Sequence, residues 1–305
     1  MYAAVESIAR QDSVPVSAVC DTLELSRSAY YAWHVGAPSS RERRDEELAP
    51  LVRALFWKHR RRYGARRLVE DLADLGEHCG TRRIARIMKE QKLRAIQPKS
   101  FVPKTTDSRH GLGYSPNLLL DSPDPRKTDE LWVGDITYVP LRGGAFCYLA
   151  MLMDRYSRYL VGWELDMTMT EGLVLSALQK AIRARQPPPN LLHHTDRGGQ
   201  YAGGRYRNLL RRSEFRQSMS RADNCYDNAF MESCFGTIKT ELEMTEYDNQ
   251  HAARRAIGEY VEYYLKDRKH SALGYLTPQQ FERLQGIETD RKGRSRKSTK
   301  AAIVR

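Results

Sequence analysis

No run of this sequence is both long and apolar enough to cross a membrane: the longest apolar stretch, Tyr148–Met153, falls far short of the ~18 residues a span needs. Met1–Arg10 lack an apolar run ahead of a small-residue cleavage site, so no secretory leader is expected. Cysteine is scarce. Cys20, Cys79, Cys147, Cys225 and Cys234 are odd in number and form no C-x-x-C pair. That excludes a disulfide framework and a zinc knuckle, and leaves free thiols packed as small apolar residues in a reducing compartment. His78-Cys79 and His193-His194 have no partners at zinc-ligand spacing. Acidic residues are in deficit, with 38 Asp+Glu against 50 Lys+Arg, a net charge of +12 at pH 7. What is present suffices for a core: 41% of the 305 residues are hydrophobic, and the length suits about two domains. Membrane, secreted and wholly disordered classes are thereby set aside.

A positive balance suits a polyanionic partner, although a solvated basic surface with no partner carries the same charge. The excess is uneven. Residues 41–100 hold 17 Lys/Arg against 9 Asp/Glu, and Thr289–Arg305 hold seven basic residues against one Asp. Within the first third, Ser17–Thr22 and Arg27–Trp33 read as short helices joined by a tight turn, the second capped by Ser26. That is the outline of a helix-turn-helix. Arg41–Lys58 reads as a charged helix with Leu48, Leu51 and Leu55 on one face. Tyr63-Gly64-Ala65-Arg66-Arg67 leads into Leu68, Leu72 and Leu75 at helical spacing, Gly76 stops that helix, and Thr81 caps another. The last has Ile84, Ile87 and Met88 on its apolar face, with Arg82, Arg83, Arg86 and Lys89 around it. Such arginine-studded helices suit phosphate backbone and major groove, or form a plain three-helix packing module.

From Gln97 to Lys127 five prolines and two glycines dissolve the pattern into a linker, or an arm lying across another surface. After Asp129 the period changes. Leu131–Leu141, Ala145–Met153 and Tyr159–Leu165 read as three antiparallel strands, with Arg142-Gly143-Gly144 as a hairpin signal. A helix over Glu171–Arg185, a strand at Leu191–His194, a helix over Tyr201–Arg212, a strand at Phe215–Met219, and helices over Tyr226–Leu242 and Asn249–Leu265 follow. This is an α/β layer arrangement.

Three acids sit oddly in it. Asp135 lies mid-strand, where aspartate is depleted and burying its charge is costly. Asp196 follows a strand and precedes Gly198-Gly199, the carboxyl-end position at which α/β sheets place ligand chemistry. Glu232 is on the long helix, with Lys239 about two turns beyond it on the same side. Separately they could be an edge-strand charge, a turn former and a surface residue. Meeting at one place, they would repel one another unless cations intervened, and hard oxygen donors select Mg²⁺ or Mn²⁺. Two such ions ~3.5–4 Å apart suit phosphodiester chemistry.

The chain resembles the second-frame (OrfB) transposases of the IS-three family of bacterial insertion sequences, with a DDE core like that of retroviral integrases. The likeness rests on Tyr30-Tyr31-Ala32-Trp33, Tyr63-Gly64-Ala65-Arg66-Arg67, Trp132-x-x-Asp135-Ile136-Thr137-Tyr138, His194-x-Asp196-Arg197-Gly198-x-Gln200-Tyr201, Asp227-Asn228-Ala229 to Lys239, and Arg268-x-His270-Ser271-Ala272-Leu273-Gly274-Tyr275-x-x-Pro278. Leu265, Thr195 and Cys234 depart from the usual pattern without removing an acid. The resemblance implies an RNase H-like core, a mixed five-stranded sheet with flanking helices, preceded by small all-α helix-turn-helix-type segments. It implies that Asp135, Asp196 and Glu232 are catalytic and hold two Mg²⁺ ions, with Mn²⁺ as a substitute, and that Lys239 contacts DNA near the cleaved strand. Arg197, Gln200 and Asn228 either join the site or only shape its turns. Arg268 and His270 either contact DNA or pack on the core. Arg66, Arg67, Arg82, Arg83 and Arg86 are the DNA-contact candidates of the helical segment.

The expected organisation is a helix-turn-helix-like segment at 1–40, a basic helical DNA-binding segment at 41–97, a linker at 98–128, the catalytic core with C-terminal helices at 129–288, and a basic disordered tail at 289–305. The expected activity is strand cleavage and strand transfer at the ends of an insertion sequence: water attacks one phosphodiester, and the freed 3′-hydroxyl attacks a second. A non-catalytic regulator of the same element and an RNase H-like nuclease are the competing readings. The implied partners are double-stranded DNA (terminal repeats and target), an upstream-frame OrfA-type protein, and further copies of the chain, at least a dimer on DNA. The implied location is the bacterial cytoplasm, nucleoid-associated when bound to DNA.

Overall fold

The computed structural model describes residues 1–36, 38–97, 113–120, 122–221, 229–243, 246–289 and 295–297. Contacts divide the chain into two compact units, Met1–Ala95 and Ile96–Arg305.

The first unit is helical throughout. Helices α1 (Tyr2–Gln11), α2 (Val16–Thr22) and α3 (Arg27–His34) enclose Val5, Val19, Cys20 and Tyr30. Ser26 caps α3 by accepting from the Ala29 amide at 3.3 Å. The turn before it bends through Glu24, whose φ of 52° gives the sharp reversal. Helix α4 (Ser40–Lys58) starts from a capping box in which Ser39 and Glu42 bond each other's backbone. It packs against α5 (Ala65–Asp74) and α6 (Thr81–Glu90) through Leu48, Val52, Phe56, Leu68, Leu72, Ile84 and Ile87. Gly76, at φ 83°, ends α5, and the Glu77 amide returns to the Leu72 carbonyl at 2.8 Å. Gly80, not Thr81, occupies the cap position of α6, which has no side-chain cap.

The second unit is built on one mixed sheet. Strands β1 (Leu131–Pro140), β2 (Phe146–Asp154) and β3 (Leu160–Asp166) form an antiparallel meander. Gly143 and Gly144, with φ near 80°, turn the first hairpin. Strands β4 (Leu192–Thr195) and β5 (Arg216–Met219) add parallel to β1, giving the order β3-β2-β1-β4-β5. This is the RNase H-like arrangement. Helix α7 (Glu171–Arg185) crosses from β3 to β4 and covers one face, with α8 (Gly199–Ala202) and α9 (Gly204–Arg212). Helices α10 (Ala229–Glu241) and α11 (Gln250–Lys266) cover the other. The strand residues alternate to match: Trp132 and Ile136 point to the α7 side, Val133 and Val139 to the α10 side. Helix α7 lies close to the sheet because Gly162 of β3 has no side chain; a Cβ there would stand 2.6 Å from the Ala177 carbonyl oxygen.

Three elements differ from the sequence expectation. The helix expected over Tyr201–Arg212 is two helices, broken at the extended Gly203. The Glu171 carboxylate reaches into that break and accepts from the Tyr206 amide at 2.9 Å, capping α9 from another element. Helix α12 (Pro278–Leu284), begun by a Thr277–Gln280 capping box, was not anticipated. Strands β6 (Ile287–Thr289) and β7 (Ser295–Lys297) pair antiparallel, so that Thr289 and residues 295–297 of the tail expected to be disordered lie in strands. The rest of that tail, and residues 98–112 of the expected linker, lie outside the described residues.

Candidate active site

Asp135 sits on the central strand of the sheet, opposite Met151 of β2, so the edge-strand reading does not hold. Its position in the alternation points it to the face covered by α10. Asp196 leaves the carboxyl end of β4 and accepts from the Gly198 amide at 3.0 Å, which fixes the turn into α8. Glu232 stands exposed in the first turn of α10, and Lys239 is half-buried further along that helix. The three acids thus lie on the central strand, at the end of its parallel neighbour and on the covering helix.

The electrostatics record the meeting. Burial and the neighbouring Asp196 charge push the Asp135 carboxyl well above the usual carboxylate range. Glu232 adds to the rise, while the Ile136 amide, donating to Asp135 Oδ1 at 2.8 Å, and Lys239 oppose it. Burial lowers the Lys239 ammonium, and Asp135 acts against that. A carboxylate trio in mutual repulsion beside one lysine is a donor set suited to hard divalent cations. Among the described residues, no three His, Cys, Asp or Glu side chains are gathered tightly enough to hold an ion as they stand.

Around the acids, Arg197 donates from Nε to the Ser220 carbonyl at 2.6 Å, and its guanidinium lies 4.8 Å from the centroid of the Tyr114 ring. Gln200 donates to the Met169 carbonyl at 3.0 Å, tying α8 to the loop before α7. Asn228 lies outside the described residues. Arg268 and His270 are brought to the interior instead. Arg268 is 5% exposed and grips both oxygens of Glu241 at 2.8–3.0 Å, with His270 beside it. That is the packing alternative, not a DNA-facing one.

Sequence reasoning missed Tyr201. The phenol is 3% exposed, and burial with the Asp135 and Asp196 charges holds its pKa well above the usual tyrosine value. Its signal in the sequence was its place at the end of the motif that begins at His194, on the short helix α8. Tyr114 and Ser220 were also missed, because their relation to Arg197 spans separate segments.

In the first unit, Arg83 and Arg86 turn out to share one partner. Buried Asp45 of α4 pairs with Arg83 Nε at 3.3 Å and with Arg86 Nη2. Arg82 and Arg66 are exposed, and Arg67 lies over the Tyr63 ring at 5.4 Å. Arg82, with Ala85 and Lys89, forms the open stripe of α6.

Comparison with known proteins follows the same division. Residues 125–225 and 213–278 each match a family described as Integrase core domain, and residues 42–101 match one described as HTH-like domain. The molecule is therefore an integrase-core protein with a helix-turn-helix-like segment. It is 36% identical over 276 residues to "Transposase InsF for insertion sequence IS3A" of Escherichia coli (strain K12), covering 89% of this chain and 95% of that one. It is 40% identical over 265 residues to "Insertion element IS600 uncharacterized 31 kDa protein" of Shigella sonnei, covering 86% and 97%. The chain belongs to the IS3 family of insertion-sequence transposases. Among solved structures, the HTLV-2 integrase catalytic core domain in complex with magnesium is similar at 19% identity and a TM-score of 0.41, covering 50% of this chain and 96% of that one.

Proposed function

We propose that the chain is the DNA transposase of an insertion sequence, cutting and joining DNA strands at the element ends with Asp135, Asp196 and Glu232 as its catalytic carboxylates. The observation that carries this reading is the placement of Asp135 on the central strand, Asp196 at the end of its parallel neighbour β4 and Glu232 on the covering helix, near enough for their charges to act on Asp135. Such a trio is costly to fold unless its charge has a use.

The three carboxylates would hold two divalent cations of the magnesium class. When bound, these supply the charge that activates the attacking oxygen and stabilises the leaving one in an in-line displacement. The protein's own part is positional. Asp135 is held by the strand and the Ile136 amide, Asp196 by its turn, and Glu232 by the first turn of α10. Lys239, on the same helix, would meet the phosphate beside the cleaved bond. Arg197 and Gln200 would line the approach of the strand. Arg66, Arg67 and Arg82, with Lys89 of the same stripe, would meet the duplex in the first unit. Arg83 and Arg86 would hold α6 to α4 through Asp45. The relatives' names support an insertion-sequence substrate, and the all-carboxylate donor set supports a hard cation such as magnesium. An upstream-frame partner and at least two copies on DNA complete the reading.

The test is joining of terminal-repeat DNA by the full chain with Mg²⁺, with and without the upstream-frame protein. Asp196→Asn should abolish joining and leave DNA binding intact. Binding by wild type without any joining would make the chain a regulator. Cleavage confined to RNA–DNA hybrid would make it an RNase H-like nuclease.

A further inference from the structure

The segment that precedes the catalytic unit in sequence does not simply lead into β1. Residues 113–118 run along β5, the edge strand next to β4. The Met219 amide donates to the Pro116 carbonyl at 3.3 Å, the Leu118 amide to Ser218 Oγ at 2.9 Å, and Ser115 Oγ to Gln217 Oε1 at 2.9 Å. Arg207 of α9 bonds the Gly113 carbonyl. Three successive β5 residues and one helix thus anchor the strap, and Tyr114 is its one large ring in this stretch, 40% exposed. That ring sits under the guanidinium of Arg197, the residue after Asp196. Arg197 Nε also donates to the Ser220 carbonyl, and the Ser220 amide in turn donates to the carbonyl of Thr195, the residue before Asp196, at 2.9 Å.

We infer that Tyr114 is a positioning residue for strand transfer: the strap presents its ring so that Arg197 is held beside Asp196, where it meets the DNA strand. The inference rests on the transposase reading. A guanidinium has a long, rotamer-rich stem, and an unsupported one beside a carboxylate would spread over many conformers. A ring face 4.8 Å away and the carbonyl at Nε both favour the conformer that makes these two contacts. A partly exposed cation–π contact of about 0.5–1 kcal/mol corresponds to a factor of about two to five.

Three full-length variants, Tyr114→Ala, Tyr114→Phe and Arg197→Ala, together with the Tyr114→Ala/Arg197→Ala double variant, test this. Joining of terminal-repeat DNA should slow about two- to five-fold in Tyr114→Ala at an unchanged melting temperature, and Tyr114→Phe, which keeps the ring face, should restore the rate. In the Arg197→Ala background the Tyr114→Ala change should cost nothing further. As a readout independent of joining, Arg197→Ala should reduce the slope of log affinity against log salt by about one phosphate contact, and Tyr114→Ala should reduce it in the same sense. Tyr114→Ala at the wild-type rate, or costs that add fully in the double variant, overturns the inference. Joining absent from the wild type overturns the transposase reading instead, and the salt slopes still judge Tyr114.

Discussion

His193 is fully buried on β4, its Nε2 2.6 Å from the Tyr206 hydroxyl. Burial, with a smaller contribution from His194, lowers it from the ordinary 6.5 to about 3, against the Trp132 backbone, which acts to raise it. The sign follows. Below pH 6.5 the unfolded chain binds a proton that the folded chain refuses, so stability present at pH 7 is lost as pH falls toward 3. At pH 5 the loss is about 2 kcal/mol. Because raised buried carboxyls such as Asp154 change stability in the opposite sense, the difference between wild type and His193→Gln in urea denaturation at pH 7 and pH 5 isolates it, and the variant should lose about 2 kcal/mol less than wild type between them. Cys234 is the opposite case among titrating groups. Burial pushes its thiol up to about 12, so it stays protonated. Iodoacetamide at pH 8 should leave Cys234 unmodified in the native protein and label it once urea is added, as read by mass spectrometry. Asp135 was visible in the sequence because it breaks a local rule, a charge in a strand, whereas Asp196 before two glycines and Glu232 on a helix are ordinary alone and stand out only as members of the motif. Tyr201 and Tyr114 break none, since a tyrosine in a turn or a linker is ordinary. Only the folded chain puts them beside a charge.

Helices and strands were legible where a period ran uninterrupted. The meander, α7 and α11 follow from alternation or helical spacing within one segment. The break between α8 and α9 has its signal in Gly203-Gly204, which the expectation of one helix passes over, while Glu171, a residue of another element that caps α9 across the loop, shows only in the fold. Glu171→Ala should therefore destabilise the turn beyond Asp196 by about 1 kcal/mol, in the range of a lost cap. The close seat of α7 on the sheet makes a sharper test. In Gly162→Ala the new methyl meets the backbone of Ala177 and lies 2.8 Å from Ala181 Cβ, and neither can yield without moving the helix. A loss of about 1–3 kcal/mol in chemical denaturation is expected.

At the scale of the catalytic unit, one buried ionic cluster joins parts that no local pattern connects. Arg185, at the end of α7, bonds Asp129 at 3.1 Å and Glu282 of α12 at 2.7 and 3.0 Å. Ser157 links Glu282 to Asp154, which accepts the Asp129 amide at 2.6 Å. Arg185 and Glu282 lie 97 residues apart, which is why α12 could not be placed from the sequence. Arg185→Met leaves two buried carboxylates unpaired and should cost about 3–5 kcal/mol, and adding Glu282→Leu should recover part of it. The melting temperatures of the single and double variants measure both. The strap over β5 has a practical consequence of another kind. An uncovered sheet edge is a template for pairing with another chain, and here Pro116 and Leu118 occupy it. A shortened protein begun at β1 would present β5 bare and should self-associate, while one that keeps Gly113 onward should stay dispersed.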